Sequence, residues 1–171
     1  MISSWDLSNR PVHQRYLDFA EAYRQAAMDF CHRLIEHESQ RTWPNANVVL
    51  LLAAHSVELF LKGAILSREP EYKFGPGHSL DELQAKYERV FTSAEFRFEA
   101  VFMSDYPGIS DQEANSLRAM APPPSIQFRY PVSKNLSEWE GVHALEPETF
   151  FETLIFLGEE YERLAKQFCP N

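Results

Sequence analysis

The stretch LLLAAHSVELFLKGAIL, residues 50–66, decides the fold. It is a nearly continuous apolar run that carries His55, Glu58 and Lys62 at spacings of three and four. At about 100° per residue these three side chains share one helical stripe about 60° wide, and apolar groups surround the rest of the wheel. Such a helix belongs at the centre of a bundle, packed against several neighbours or across a dimer interface. A membrane span is the competing reading. At a bilayer centre each ionisable group would cost about 2.5–3.5 kcal/mol or more, so the run is read as a buried helix and no membrane role is expected. Its predicted limits are about Pro44, which suits a helix start, and Ser67, ahead of Pro70, which cannot continue it.

The segments on either side also read as helices. In residues 10–39, Val12, Tyr16, Phe19, Tyr23, Ala27, Phe30 and Leu34 recur at spacings of three and four, which predicts a long first helix with Pro11 at its first position. Gly75, Pro76 and Gly77 predict a tight turn. Ser79 and Glu82 then have the S-x-x-E spacing of a capping box, and Leu80, Leu83, Tyr87 and Val90 give the stripe of a third helix. TSAE at 92–95, followed by Phe96, Ala100 and Met103, predicts a further short helix. SDQE at 110–113 predicts another turn or two. Residues 121–145 contain Pro122, Pro123, Pro124 and Pro131, so they are expected to be extended or looped, with a short strand within SIQFRYPV. A closing helix begins near Pro147, with Phe150, Leu154, Leu157, Tyr161, Leu164 and Phe168 as its stripe.

The fold class is therefore all-α. One domain spans residues 1–171 as an antiparallel four- to five-helix bundle, with a proline-rich excursion before the last helix. A chain of this length buries a sizeable core, and a 44% hydrophobic content with 13 Phe and 7 Tyr argues against disorder. The net charge of −9 repels phosphate backbones and disfavours non-specific DNA binding. The start, MISSWDLSNR, lacks a basic segment followed by an apolar one, so no signal peptide is expected and the cytoplasm is the expected location. Cys31 and Cys169 have no C-x-x-C spacing, which argues against a zinc ribbon or redox motif.

Three segments resemble the HEPN superfamily of helical bundles. AAHSVELFLKGAIL, Ala53 to Leu66, is similar to the A-x-E-L-x-L-K-A-x-L helix of many bacterial members. GHSLDEL, Gly77 to Leu83, is similar to the G-H-[DS]-L helix start that follows it. FRYP, Phe128 to Pro131, is similar to an R-Y-P element that often precedes the last helix. Ribonuclease members of that family carry R-x4-6-H, and none of the six histidines here has an arginine five to seven positions upstream. The resemblance therefore implies a non-catalytic bacterial protein that binds a nucleotide, an RNA or a partner protein such as a nucleotidyltransferase, in a toxin–antitoxin or stress setting. It also implies a homodimer. A divergent, metal-independent ribonuclease using Arg129 with His55 or His78 is the alternative, and a purely structural interaction module is a third.

The candidate ligand-binding residues are His55, Glu58, Lys62, His78, Arg129 and Tyr130. The stripe faces a cleft in one reading; in the other, Glu58 and Lys62 form an i, i+4 ion pair with His55 hydrogen-bonded beside them. His78 stands at a helix start, where anions bind readily, or simply packs on the turn. Arg129 and Tyr130 sit on a long loop that either reaches a ligand or is anchored to the bundle. No cofactor or metal is expected. Glu-x-x-His pairs on two helices are missing, as are G-x-S-x-G and the phosphate loop.

Overall fold

The computed structural model describes residues 5–75, 79–98, 100–102, 110, 112, 113, 116, 122–139 and 144–168. The regular structure among them is helical throughout. α1 is Trp5–Ser8, α2 Val12–Glu36, α3 Trp43–Arg68, α4 Leu80–Val90, α5 Pro124–Gln127 and α6 Pro147–Phe168, with 3-10 turns at Glu38–Gln40 and Ala94–Phe96.

α3 is the inner rod. α2 lies antiparallel along it, and the two come close because small residues meet at the contact. Ser56 Oγ donates to the Ala20 carbonyl at 2.7 Å. A Cβ added at Gly63 would sit 3.0 Å from Leu17 and 3.1 Å from the His13 carbonyl, so glycine there permits the approach. Ala27, Cys31 and Leu34 pack with Val49 and Ala53 at the other end. α6 runs antiparallel to α2: Cys31 Sγ lies 3.3 Å from the Pro147 carbonyl, and Arg24 Nη1 donates to the Leu154 carbonyl at 2.9 Å. α3 and α6 therefore point the same way. Phe60 stacks on Tyr161 with centroids 4.0 Å apart and leans on Phe168 at 6.0 Å. By length and composition α3 is apolar enough to cross a membrane, yet 61% of its most apolar window is buried against the other helices.

α4 and the turn Ala94–Phe96 pack against the C-terminal ends of α3 and α6. α4 begins with a capping box in which Ser79 Oγ accepts from Glu82 N–H at 3.2 Å and Glu82 Oε2 accepts from Ser79 N–H at 3.1 Å. Its Leu80, Leu83 and Tyr87 are buried. The same reciprocal pattern links Ser110 and Glu113, as SDQE predicts.

Four expectations are corrected. In α2 the buried residues are Ala20, Arg24, Ala27, Cys31 and Leu34, whereas Val12 and Phe19 are 55% and 46% exposed. The stripe read from the sequence is thus right in part: Ala27 and Leu34 are in the core and Tyr16, Tyr23 and Phe30 are half-buried, while Val12 and Phe19 turn outward because α3 packs against the small residues. Pro11 stands just before the helix, at its N-cap. The short helix expected through Phe96, Ala100 and Met103 is a single 3-10 turn, Ala94–Phe96, without a side-chain cap from Ser93. Side chains take the carbonyls that a helix would have used. Arg163 donates to the Glu95 and Arg97 carbonyls at 2.6 and 2.8 Å, Tyr87 to that of Phe96 at 2.6 Å, and Gln84 to that of Phe98 at 2.7 Å. Met103 lies outside the described residues. The strand expected in SIQFRYPV is absent among the described residues, and its first part is the helical turn α5. Pro124 occupies the start of that turn, where its fixed φ is pre-set for a helix and no N–H is needed. The tight turn at Gly75–Gly77 falls mostly outside the described residues.

Candidate functional site

The stripe of α3 forms one local ionic network. Lys62 Nζ lies 2.5 Å from Glu58 Oε1, and His55 Nδ1 lies 3.4 Å from Glu58 Oε2. The glutamate precedes the lysine by four residues, the favourable order along a helix. All three are half-buried, with Glu58 and Lys62 side chains only 20% and 18% exposed. Burial pushes the Glu58 carboxyl up. Hydrogen bonds from His55 and Lys62, with the charge of both, outweigh it and hold the group at about 2. Tyr23 of α2 meets the His55 ring edge-on at 4.6 Å, and Lys62 Nζ lies 5.4 Å from the Phe74 ring centre, within cation–π range. The charges satisfy one another, so this geometry is that of a structural lock.

Two turns toward the N-terminus the same helix face becomes apolar and opens. A groove of about 600 Å³ runs between the first turns of α3 and the segment after α5. Its walls include Trp43, Asn47 and Leu51 on one side and Arg129, Tyr130 and Trp139 on the other. The far wall is braced from within. Trp139 Nε1 donates to the Tyr130 carbonyl at 2.7 Å, Ser133 N–H donates to the Ser137 carbonyl at 2.9 Å, and Phe128 packs on Phe102 at 6.0 Å. Trp43 is 41% and Tyr130 50% exposed. Asn47 Oδ1 is buried and has no hydrogen-bond partner, a costly state for an amide oxygen unless something donates to it. Arg129 is exposed and enters no ion pair among the described residues. The volume suits a small ligand. Aromatic walls offer stacking and Arg129 offers charge for an anion, while Asn47 Oδ1 is buried beneath the wall.

The structure thus separates the residues named from the sequence. Arg129 and Tyr130 line the groove. His55, Glu58 and Lys62 continue the same α3 face, His55 one turn beyond Leu51 and about 6 Å further along the axis. Arg129 and His55 share no hydrogen bond or ion pair. His78 lies outside the described residues. Trp43, Asn47 and Trp139 were not singled out in the sequence. WPN at the start of α3 and an indole in a proline-rich segment were the available signals.

Two other hollows carry less. One of about 720 Å³, at the end of α4, is walled by groups such as Tyr87 and Gln84, whose hydroxyl and amide N–H are spent on backbone carbonyls, with Gln84 Oε1 buried and without a partner as Asn47 Oδ1 is. It is larger than the groove but holds none of the candidate residues. The other, about 590 Å³, lies between α2 and α6 around Arg24. That arginine is 8% exposed, held by Glu21 at 2.6 and 2.7 Å, and lies against Gly158, where a Cβ would come within 2.6 Å of its guanidinium carbon. Hydrogen bonding to Glu21 raises its pKa against the lowering effect of burial. Beside it Tyr161 shares a 3.1 Å hydrogen bond with Ser56, and burial pushes its phenol far up. This knot fixes α6 to α2. Among the described residues no three His, Cys, Asp or Glu side chains converge as metal ligands would.

Comparison with protein-family models, curated proteins and solved structures finds no significant match for this chain.

Proposed function

We propose that this chain is a non-catalytic, HEPN-like binding protein that holds a nucleotide or a short single-stranded RNA segment in the groove between α3 and residues 127–139. The observation that carries this reading is the groove itself, where Trp43, Tyr130 and Trp139 line the same space as Arg129. An aromatic wall stacks a base, worth about 1–3 kcal/mol per base. A guanidinium pairs with phosphate through two parallel hydrogen bonds. The net charge of −9 limits the number of phosphates tolerated, which favours a mononucleotide or short strand over a duplex. Support for the family comes from order: the A-x-E-L-like segment is the inner helix, SLDEL opens α4 with its capping box, and FRYP precedes α6. A homodimer and a nucleotidyltransferase-type partner belong to the same reading.

The groove holds two of the three tryptophans, so intrinsic fluorescence reports on it. Titration with mononucleotides and short RNA oligomers is expected to quench emission saturably. Trp43→Ala and Arg129→Ala are expected to weaken binding about tenfold or more each, as loss of about 1.4 kcal/mol or more implies. Glu58→Gln, outside the groove, is expected to bind as the wild type does. Equal affinity in wild type and Arg129→Ala, or no saturable quenching with any nucleotide, overturns the proposal. RNA cleavage that disappears in Arg129→Ala or His55→Ala establishes the ribonuclease alternative instead.

A further inference from the structure

The segment that covers the groove carries a charge the fold itself does not use. Glu138 lines the same space as Arg129, is exposed, and its side chain enters no hydrogen bond or ion pair among the described residues. The Arg129 side chain is equally unspent. Elsewhere opposite charges that meet across the fold do pair: Arg10 with Asp18, Arg41 with Glu148 and Lys86 with Glu69. Arg129 and Glu138 share one groove and stay apart. The backbone on both sides of Glu138 is held. Ser137, just before it, donates its N–H to Ser133 Oγ at 3.3 Å and accepts from the Ser133 N–H at 2.9 Å, and the two hydroxyls lie 2.6 Å apart. Trp139, just after it, is tied through Nε1 to the Tyr130 carbonyl at 2.7 Å. The turn between the two serines puts Leu136 at φ 60°, a left-handed conformation that costs a leucine free energy. Leu136 is 82% exposed, so burial does not offset that cost. What the turn does is bring Glu138 and Trp139 to the groove.

We infer that the groove selects guanine nucleotides, with the Glu138 carboxylate reading the base and Arg129 holding the phosphate. The inference rests on the groove being a nucleotide site. A groove with one free cation and one free carboxylate suits a ligand with two different poles. Phosphate is drawn to Arg129 and repelled by Glu138, which leaves the base at the Glu138 end. An ionised carboxylate offers two acceptor oxygens and no donor. On its Watson–Crick edge guanine presents two adjacent donors, N1–H and the N2 amine, and these meet both oxygens in two parallel hydrogen bonds. Adenine and cytosine present one donor beside a ring-nitrogen acceptor, and uracil presents one donor between two carbonyls. With these three bases a lone pair faces the carboxylate, so repulsion replaces the second bond. Stacking on the aromatic walls tolerates every base, so the choice among bases falls to Glu138. Hydrogen bonds to a charged acceptor are strong, but water competes at an exposed one, so a preference of about tenfold is expected.

Fluorescence titration of the full chain with guanosine, inosine, adenosine, cytidine and uridine monophosphates tests this. Wild type is expected to bind guanosine monophosphate about tenfold more tightly than the adenosine, cytidine and uridine forms. Inosine monophosphate keeps N1–H and lacks the N2 amine, so its affinity is expected to fall between. Glu138→Gln removes the charge and replaces one acceptor oxygen with a donor. It is expected to lower the affinity for guanosine monophosphate about tenfold, to that for adenosine monophosphate, while keeping the wild-type helical circular dichroism. Glu58→Gln, outside the groove, is expected to keep the preference. A wild type that binds all five nucleotides equally overturns guanine selection and leaves the nucleotide site standing. A guanine preference that survives Glu138→Gln does the same. Absence of saturable quenching with every one of them overturns the nucleotide site and this inference with it.

Discussion

Replacing Glu58 by glutamine tests whether the charges on α3 stabilise the fold. Glutamine keeps the shape of the protonated carboxyl and removes its charge, so the comparison isolates ionisation. The folded carboxyl sits at about 2 against an ordinary 4.5, a difference of about 2.5 units, or about 3 kcal/mol at about 1.36 kcal/mol per unit. Its side chain is 20% exposed, so little of that is lost to solvent screening. A depressed carboxyl contributes its stability above the unfolded pKa and loses it as pH falls through the folded one. The stability gap between wild type and Glu58→Gln is therefore expected to be about 3 kcal/mol at neutral pH. It should narrow to about 2 kcal/mol at pH 3.5 and about 1.4 kcal/mol at pH 3. Urea unfolding of both proteins across that range measures it. A gap under about 1 kcal/mol at pH 7, the size of an ordinary surface pair, would refute the reasoning. So would a gap that does not change with pH.

Two further outcomes follow from single contacts. Ser79→Ala removes the acceptor of the α4 capping box and is expected to cost about 1 kcal/mol in urea unfolding; a loss under a few tenths would mean the box is idle. Burial, then the charges of Glu148 and Glu146, push the Cys31 thiol up to about 11, so in a Cys169→Ser background a thiol reagent near neutral pH should label the protein only as it unfolds, and prompt labelling of the native chain would contradict that burial.

The inner helix was legible because its signal is compositional. Apolar groups surround α3 on the wheel, Pro44 and Pro70 bracket it, and its three polar interruptions share one stripe, so no other arrangement of the chain hides it better. Ser79 with Glu82 and the Leu154–Leu157–Tyr161–Leu164 stripe of α6 were legible for a similar reason: each needs only neighbours within its own helix. The orientation of α2 was not. Two stripes overlap on that helix, one of large residues and one built on Ala20, Ala27 and Cys31, and periodicity serves both equally. What selects the small one is the close approach of α3, through Ala53, Ser56 and Gly63, which lie 22 or more residues away in sequence. Arg24 is buried for the same non-local reason, since its slot exists only where Gly158 leaves room. The chain after Phe96 departs from its helical pattern because Arg163, 66 residues on, takes its carbonyls.

The groove follows from how the uncovered face of α3 is resolved along its length. Val48, Leu51, His55, Glu58 and Lys62 lie at spacings of three and four, and all are half-buried or exposed, so α2, α4 and α6 leave this line open. At the C-terminal half the line closes on itself, because Glu58 takes a proton donor from each side and the charges cancel locally. No such solution exists for Val48 and Leu51, which have only apolar surface to offer. They are covered instead by the segment carrying Arg129, Tyr130 and Trp139, which is braced mostly by its own hydrogen bonds and rests on α3 through side chains. A cover of that kind leaves space that interlocking helices would fill, since helix ridges enter helix grooves and a proline-rich segment has none to insert. The about 600 Å³ that remain, with an orphaned amide oxygen at the wall, are the consequence of covering a helix with a loop. Open space therefore belongs to the N-terminal half of this face and local ion pairing to the C-terminal half, and the division falls between Leu51 and His55.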